Sequence, residues 1–400
     1  MEGQRKVVVT GMGMITPIGR DVASSWQALV DGRSGVGPIR RFDASGFPVT
    51  FAAEVDALPD EDQADLKIRL ASAAVKEAME QCGPLPYEPE RIGVCLGSEA
   101  ARPSLPVVAR RYRTGELPRF SELVRNAAHM PTEIVAGLVG AKGLQSTVST
   151  ACTSSSQAVG EGFLRIRRGE MDAMVVGGVD VLVGPLMITG FSLLGALSTR
   201  NEDPQAASRP FDQDRDGFVL GEGAGFLVLE DEQRALERGA QILVELSGFG
   251  CSSNAWRITD SPPDGRGAAQ AMSLALESAG LTPGDVGYVN AHGTSTPMND
   301  PSETRGLHRV FGEEGGPWVS STKSMMGHLV AACGAVEAVV AALAIREGVL
   351  PPTINLENPD PMCQLRHVAK EARPLAVDHA ITNAFGFGGS NGSLVLSRYV

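Results

Sequence analysis

Short apolar and β-branched runs alternate with amphipathic helical stretches along this whole chain, and that alternation admits little besides an α/β fold with buried sheets. The strand-like runs are Lys6–Thr10, Ile92–Leu96, Ala173–Val176 and Phe226–Leu229, then Ile242–Leu246, Val286–Asn290, Val319–Ser321, Ala380–Asn383 and Leu394–Ser397. Apolar residues at helical spacing predict helices over Asp65–Glu80, Ala268–Ser278 and Ala332–Arg346 between them. With 400 residues, 43% of them hydrophobic, the chain can fill one large core or two similar ones. No Ser/Gly/Pro-rich linker divides it. A charged stretch, Asp231-Glu232-Gln233-Arg234, runs into Arg238-Gly239 and a new strand. This sets a seam between two halves of one rigid body, 1–240 and 241–400.

Charge and composition exclude several classes. A net charge of −12 argues against nucleic acid, whose phosphates would be repelled. No apolar stretch reaches the roughly 20 residues that span a bilayer, and MEGQRKVVVTGMG lacks an apolar leader segment, so a soluble cytoplasmic chain with no membrane partner is expected. The six cysteines include no CxxC pair and read as reduced thiols rather than a disulfide or zinc framework. Gly11-Met12-Gly13 after the first strand begins like a dinucleotide fingerprint, but Thr16 holds the place of the third glycine. These glycines are expected to form a tight turn packed on a helix instead.

The run Val148-Ser149-Thr150-Ala151-Cys152-Thr153-Ser154-Ser155-Ser156 precedes a helical stretch from Gln157 to Arg168 and has the composition of a strand-to-helix turn. Alone, Cys152 reads either as a buried structural thiol or as a nucleophile whose pKa a helix N-terminus lowers. Three other small-residue loops follow strands and carry reactive groups. They are Asn290-Ala291-His292-Gly293-Thr294-Ser295-Thr296, the stretch from Ser320 through Lys323 to His328, and Asn383-Ala384-Phe385-Gly386-Phe387-Gly388-Gly389-Ser390-Asn391. Strand C-termini are where α/β sheets place ligands, and four such loops in order form a joint signal that none carries alone.

Together with VVVTGMGMITPIG, ALSTRNEDPQAASRPFDQDRDGFVLGEGAG, PPTINLENPD and NAFGFGGSNGSLVLS, these loops make the chain resemble the elongating β-ketoacyl-acyl-carrier-protein synthases of the thiolase superfamily, essentially end to end. The resemblance implies a thiolase-like fold, five-layered α-β-α-β-α and built from two similar halves. It implies a decarboxylative Claisen condensation in fatty acid or specialised polyketide or polyene biosynthesis. Cys152 would carry the acyl chain, and His292 and His328 would stabilise the enolate left when a malonyl thioester loses CO₂. Lys323 would pair with Glu337. Thr294 and Thr296 would touch the pantetheine arm. The N–H groups of Cys152 and Phe387 would form an oxyanion hole, with Phe387 a gate hinged by Gly386, Gly388 and Gly389. No redox cofactor or catalytic metal is implied, since acyl groups arrive on the phosphopantetheine of an acyl carrier protein; the family allows a structural monovalent cation near Asn290. A homodimer, or a heterodimer with a chain-length-factor-like subunit, is expected.

The chain departs from its family in three places. The loop closing the acyl pocket reads Gly97-Ser98-Glu99-Ala100-Ala101-Arg102; Ala100 would widen a pocket that Phe191 also lines, while Glu99 and Arg102 bring charge near its floor. His129 and Glu133, in a stretch expected at the subunit interface, read as solvated helix ends or as marks of an unusual acyl chain or partner. The carrier-docking helix, normally basic, opens with Pro59-Asp60-Glu61-Asp62-Gln63-Ala64-Asp65, which leaves Lys67, Arg69, Arg119 and Arg200 as docking candidates. These departures favour a specialised pathway. Competing readings are a coenzyme A-dependent thiolase, which needs a second cysteine where this chain has histidines, and a non-elongating partner subunit, which would lack Cys152. A cysteine hydrolase would need a water route that condensing enzymes exclude.

Overall fold

The computed structural model describes residues 5–56, 63–102, 105–117 and 120–400. Ten strands form its framework: β1 (Val7–Ile15), β2 (Ile92–Gly97), β3 (Gln145–Val148), β4 (Ala173–Asp180), β5 (Gly223–Asp231), β6 (Val244–Ser253), β7 (Tyr288–Asn290), β8 (Trp318–Ser320), β9 (His379–Phe385) and β10 (Ser390–Ser397). Six helices connect them: α1 (Gln63–Cys82), α2 (Met130–Val139), α3 (Ser154–Arg167), α4 (Arg266–Ala279), α5 (Asn299–Phe311) and α6 (Cys333–Glu347). Every strand expected from the sequence is present, and β1 runs on well past its expected end.

The order across the first set is β1-β5-β4-β2-β3, and across the second β6-β10-β9-β7-β8, with a two-residue strand, Arg366–His367, added at the far edge. Pairing senses repeat as well. The β1/β5 and β5/β4 pairs are antiparallel and β4/β2 and β2/β3 parallel; β6/β10 and β10/β9 are antiparallel and β9/β7 and β7/β8 parallel. Helices fall at matching points, so the chain runs β-α-β-α-β-α-β-β twice. The two sheets meet where Val8 and Val9 pair with Glu245 and Val244.

Packing gives five layers. Helix α1 covers the outside of β1 and β5, and α4 covers β6 and β10, while α3 and α6 lie between the sheets and touch both. The sequence of α6, CGAVEAVVAALAIRE, is apolar and small on all sides, and every residue from Cys333 to Ile345 is buried. Gly11 and Gly13 correct an expectation: they lie inside β1 rather than in a turn, and each faces α1 so closely that a Cβ would fall 2.1 Å from the Ala78 carbonyl oxygen or 1.9 Å from that of Ala74. Their lack of a side chain serves helix-on-strand packing.

Candidate active site

The C-terminal ends of β3, β7, β8 and β9 bring the four polar loops together. Between β3 and α3 the chain turns sharply through Ala151, a non-glycine residue at φ +52°. Local hydroxyls hold the turn: Ser154 Oγ accepts from the Thr150 N–H at 2.9 Å and donates to the Ala151 carbonyl at 2.6 Å, and Thr153 Oγ1 donates to the Thr150 carbonyl at 2.9 Å. Gly386 lies flat against this turn, where a Cβ would come within 3.0 Å of the Thr150 oxygen. The N–H groups of Phe387 and of Cys152 itself then point at the Cys152 sulfur, and the Cys333 thiol donates to the Cys152 carbonyl at 3.2 Å.

The expected lowering of the Cys152 pKa does not hold. Burial pushes the thiol up to about 12, and the Lys323 charge and the two N–H groups pull it back only in part. At rest the sulfur is protonated.

His328 Nε2 lies 3.0 Å from the Cys152 sulfur. Its other ring nitrogen, Nδ1, accepts the Val330 N–H at 3.3 Å, and Val330 holds φ +47° to deliver it. With Nδ1 accepting, the ring proton sits on Nε2 and faces the sulfur. The His292 ring stands 5.3 Å from that of His328, nearly perpendicular at 82°. Its backbone is clamped by Glu303 on α5, whose two carboxylate oxygens accept the His292 and Gly293 N–H groups at 2.8 Å each. Burial, reinforced by the charge of Lys323, holds both imidazoles well below the usual histidine range. The sulfur and one nitrogen from each ring all lie within 4.8 Å of one another. The site is a neutral thiol facing two neutral imidazoles.

Lys323 and Glu337 form a buried ion pair. Burial pushes the Glu337 carboxyl up to about 7 against the attraction of Lys323, and burial likewise opposes the Lys323 charge, but Glu337, together with Cys333 and Glu303, outweighs that opposition and raises the Lys323 pKa. Glu337 Oε2 and Asn290 Oδ1 are buried oxygens without hydrogen-bond partners, a donor type that fits the monovalent cation allowed near Asn290. Thr294 and Thr296 bond each other at 2.9 Å, and buried Arg215 holds their loop through the Thr296 carbonyl at 3.1 Å. Gly388 and Gly389 both sit at φ +84°, and the loop they share with Phe387 is tied to residues 254–258 by two backbone hydrogen bonds.

Other expected positions fare unevenly. Phe191 packs edge-on against Phe218, which packs on the His328 ring at 5.4 Å. Ala100 is half-buried. The Glu99 carboxylate turns onto the turn before Cys152, accepting from Ser149 Oγ at 2.8 Å and the Ala151 N–H at 3.3 Å. His129 and Glu133 face each other at 3.5 Å on the surface. Lys67 is corrected as a docking residue: its side chain is only 3% exposed and is paired with buried Asp180. Arg69 is exposed and lines a cleft of about 970 Å³ whose lining does not include Cys152, His292 or His328. Arg200 is partly exposed, with its guanidinium on the Asp214 carbonyl. Arg119 and Pro59 to Asp62 lie outside the described residues. Sequence reading missed Glu303, Phe218 and Asp180, because a lone acid or aromatic in a helix or strand carries no motif and only the packed fold turns it inward.

Comparison with known proteins accords with this geometry. The profile of the family described as Beta-ketoacyl synthase, N-terminal domain, matches residues 4–235, and that of Beta-ketoacyl synthase, C-terminal domain, matches residues 243–357. The 3-oxoacyl-acyl-carrier-protein synthase 2 of Coxiella burnetii is 42% identical over 99% of both chains, and the enzyme of the same name from Synechocystis is 42% identical over the same shares. Among solved structures, a type II polyketide ketosynthase in complex with its acyl-carrier protein superposes with a TM-score of 0.90 at 32% identity, covering 99% of this chain and all of that one. The ishigamide ketosynthase/chain length factor gives the same score and identity over the full length of both chains. By sequence along its whole length and by its thiolase-like fold, the chain belongs to the β-ketoacyl synthase family.

Proposed function

We propose that this ketosynthase extends a Cys152-bound acyl chain with a malonyl unit carried on an acyl carrier protein, through Cys152, His292 and His328. The observation that carries the reading is the neutral Cys-His-His cluster, with the His328 proton turned toward the sulfur. In the first step Cys152 Sγ attacks the acyl thioester carbonyl, its proton leaves with the departing carrier thiol, and the developing thiolate is met by the His328 Nε2–H and the Phe387 and Cys152 N–H groups. In the second, the malonyl C–C bond breaks and CO₂ departs with its carbonyl oxygens, leaving the electron pair in an enolate whose oxygen the imidazoles hold. The enolate carbon then attacks the acyl-Cys152 carbonyl and the new C–C bond forms; the tetrahedral oxyanion sits in the Cys152–Phe387 hole, where each donor is worth about 3 kcal/mol. As it collapses, the Cys152 sulfur leaves as a thiolate, which takes up a proton from solvent to restore the resting thiol.

Lys323 and Glu337 fix the surroundings of His328 in this scheme, and Thr294 and Thr296 guide the pantetheine. No cofactor beyond the carrier's own arm enters it. A dimer is supported by β3, an edge strand, and by Tyr112, Leu117, Phe120 and Leu193, all more than 80% exposed. Solved relatives in complex with an acyl-carrier protein or a chain length factor support a carrier partner and favour a heterodimer in a specialised pathway over a housekeeping homodimer. Among the described residues no helix is long and apolar enough to cross a membrane, which agrees with the cytoplasmic placement we assign.

The test is to mix the protein with acyl- and malonyl-carrier protein and follow intact mass. Wild type should gain one acyl group on Cys152 and then release extended product, whereas Cys152→Ala should gain none. An acylated Cys152→Ala protein would sink the reading.

A further inference from the structure

The ion pair that removes Lys67 from the surface stands beside the active site. All three donors of its ammonium are engaged: Asp180 Oδ1 at 2.9 Å, the Glu99 carbonyl at 2.5 Å and Ser98 Oγ at 3.3 Å. Two chains of contact leave this point. Through Asp180, whose Oδ2 accepts the Ala331 N–H at 3.2 Å, it reaches the backbone next to Val330, the residue that fixes the His328 tautomer. Through Glu99, whose carboxylate accepts from Ser149 and Ala151, it reaches the φ +52° residue that raises Cys152. One buried charge therefore braces both the turn that carries the sulfur and the turn that carries the imidazole. Stability alone does not call for such a pair, since apolar residues of similar volume commonly hold a core at least as well.

We propose that Lys67 and Asp180 are positioning residues that set the spacing between the Cys152 sulfur and His328 Nε2, with Glu99 as the arm that reaches the nucleophile turn. Neither Lys67 nor Asp180 touches the reacting atoms. The inference rests on the condensing reading above, and its test separates the two.

The decisive variant is the double substitution Lys67→Met/Asp180→Asn, which removes both charges, keeps their shape and leaves an acceptor for Ala331. Its thermal midpoint should match wild type while kcat for condensation falls about 10- to 100-fold, the scale of a small misplacement of reacting groups, and KM for the acyl carrier stays within about twofold. Equal kcat in a folded double variant would overturn the inference, as would a loss that only follows the folded fraction. Should the double variant not fold, Glu99 decides. Glu99→Ala should slow Cys152 acylation and Glu99→Gln, which keeps an acceptor oxygen, should restore it; equal rates in both would overturn the proposal. A wild-type enzyme that neither acylates nor condenses would condemn the condensing reading and not this brace.

Discussion

The two halves of the chain share one strand order but differ in how much chain follows the third strand. In the first half, Ser149 to Thr153 is all that separates β3 from α3, and it presents a single sulfur on a turn strained at Ala151. In the second, Ser321 to Ala332 lies between β8 and α6 and holds a buried lysine, an imidazole and its own strained residue, Val330. A nucleophile needs only to be held out on a rigid point. Groups that must keep a chosen protonation state need a shell around them, and that shell takes extra chain.

If the division of labour is real, each half can be disabled alone. The largest effect expected is in the second half: His328→Ala and His292→Ala should each lower malonyl decarboxylation by about 10²- to 10³-fold, while Cys152→Ala, which leaves both imidazoles in place, should still decarboxylate. Loss of decarboxylation in Cys152→Ala with retention in the histidine variants, read as CO₂ release, would reverse the assignment. Next comes Lys323→Met, which strands the Glu337 carboxylate in the core and should destabilise by about 3–5 kcal/mol, with most of that recovered in Lys323→Met/Glu337→Gln. Denaturant titration of the two variants checks it; equal losses would mean that the pair is not the source.

The smallest expected effect is an absence of change. Because burial holds both imidazole pKa values well below 6.5, the neutral forms persist as pH falls, so neither ring should give decarboxylation an acid limb at 6.5; a limb nearer 7 that disappears in Lys323→Met/Glu337→Gln would belong to the Glu337 carboxyl. The Cys152 thiol, raised to about 12, should in contrast be alkylated by iodoacetamide at a rate that climbs with pH and shows no plateau below pH 9. An acid limb centred at 6.5 that persists in Lys323→Met/Glu337→Gln, or an early plateau for the thiol, would show that one half is more open to water than its burial implies.

Much of this was legible in the sequence, for reasons that differ by residue. The strands were readable because most are buried on both faces, parallel or antiparallel, and so read as apolar runs. Cys152, His292, Lys323 and His328 stood out because each sits in a small-residue loop after a strand. Three readings failed on burial, which no local pattern reports. Gly11 and Gly13 pack on a helix as expected, but from inside β1 and not from a turn. Lys67 looked like a surface cation because its partner Asp180 is far along the chain. The Cys152 thiol was expected to feel the start of α3, but removal from water outweighs a helix N-terminus there. Glu303 was invisible for the same reason: its two backbone partners are known only once α5 packs beneath the His292 loop.

The Val330 N–H on His328 carries one more consequence. A main-chain amide has no proton to trade in the working range of pH, so the inner face of that ring is closed to exchange. In the proposed scheme His328 is thus a fixed dipole and not a relay, since it can turn its proton to the sulfur or the enolate oxygen but cannot pass one through from behind. The proton that restores the Cys152 thiol after condensation must therefore come from solvent on the substrate side of the sulfur, and not through the back of this ring.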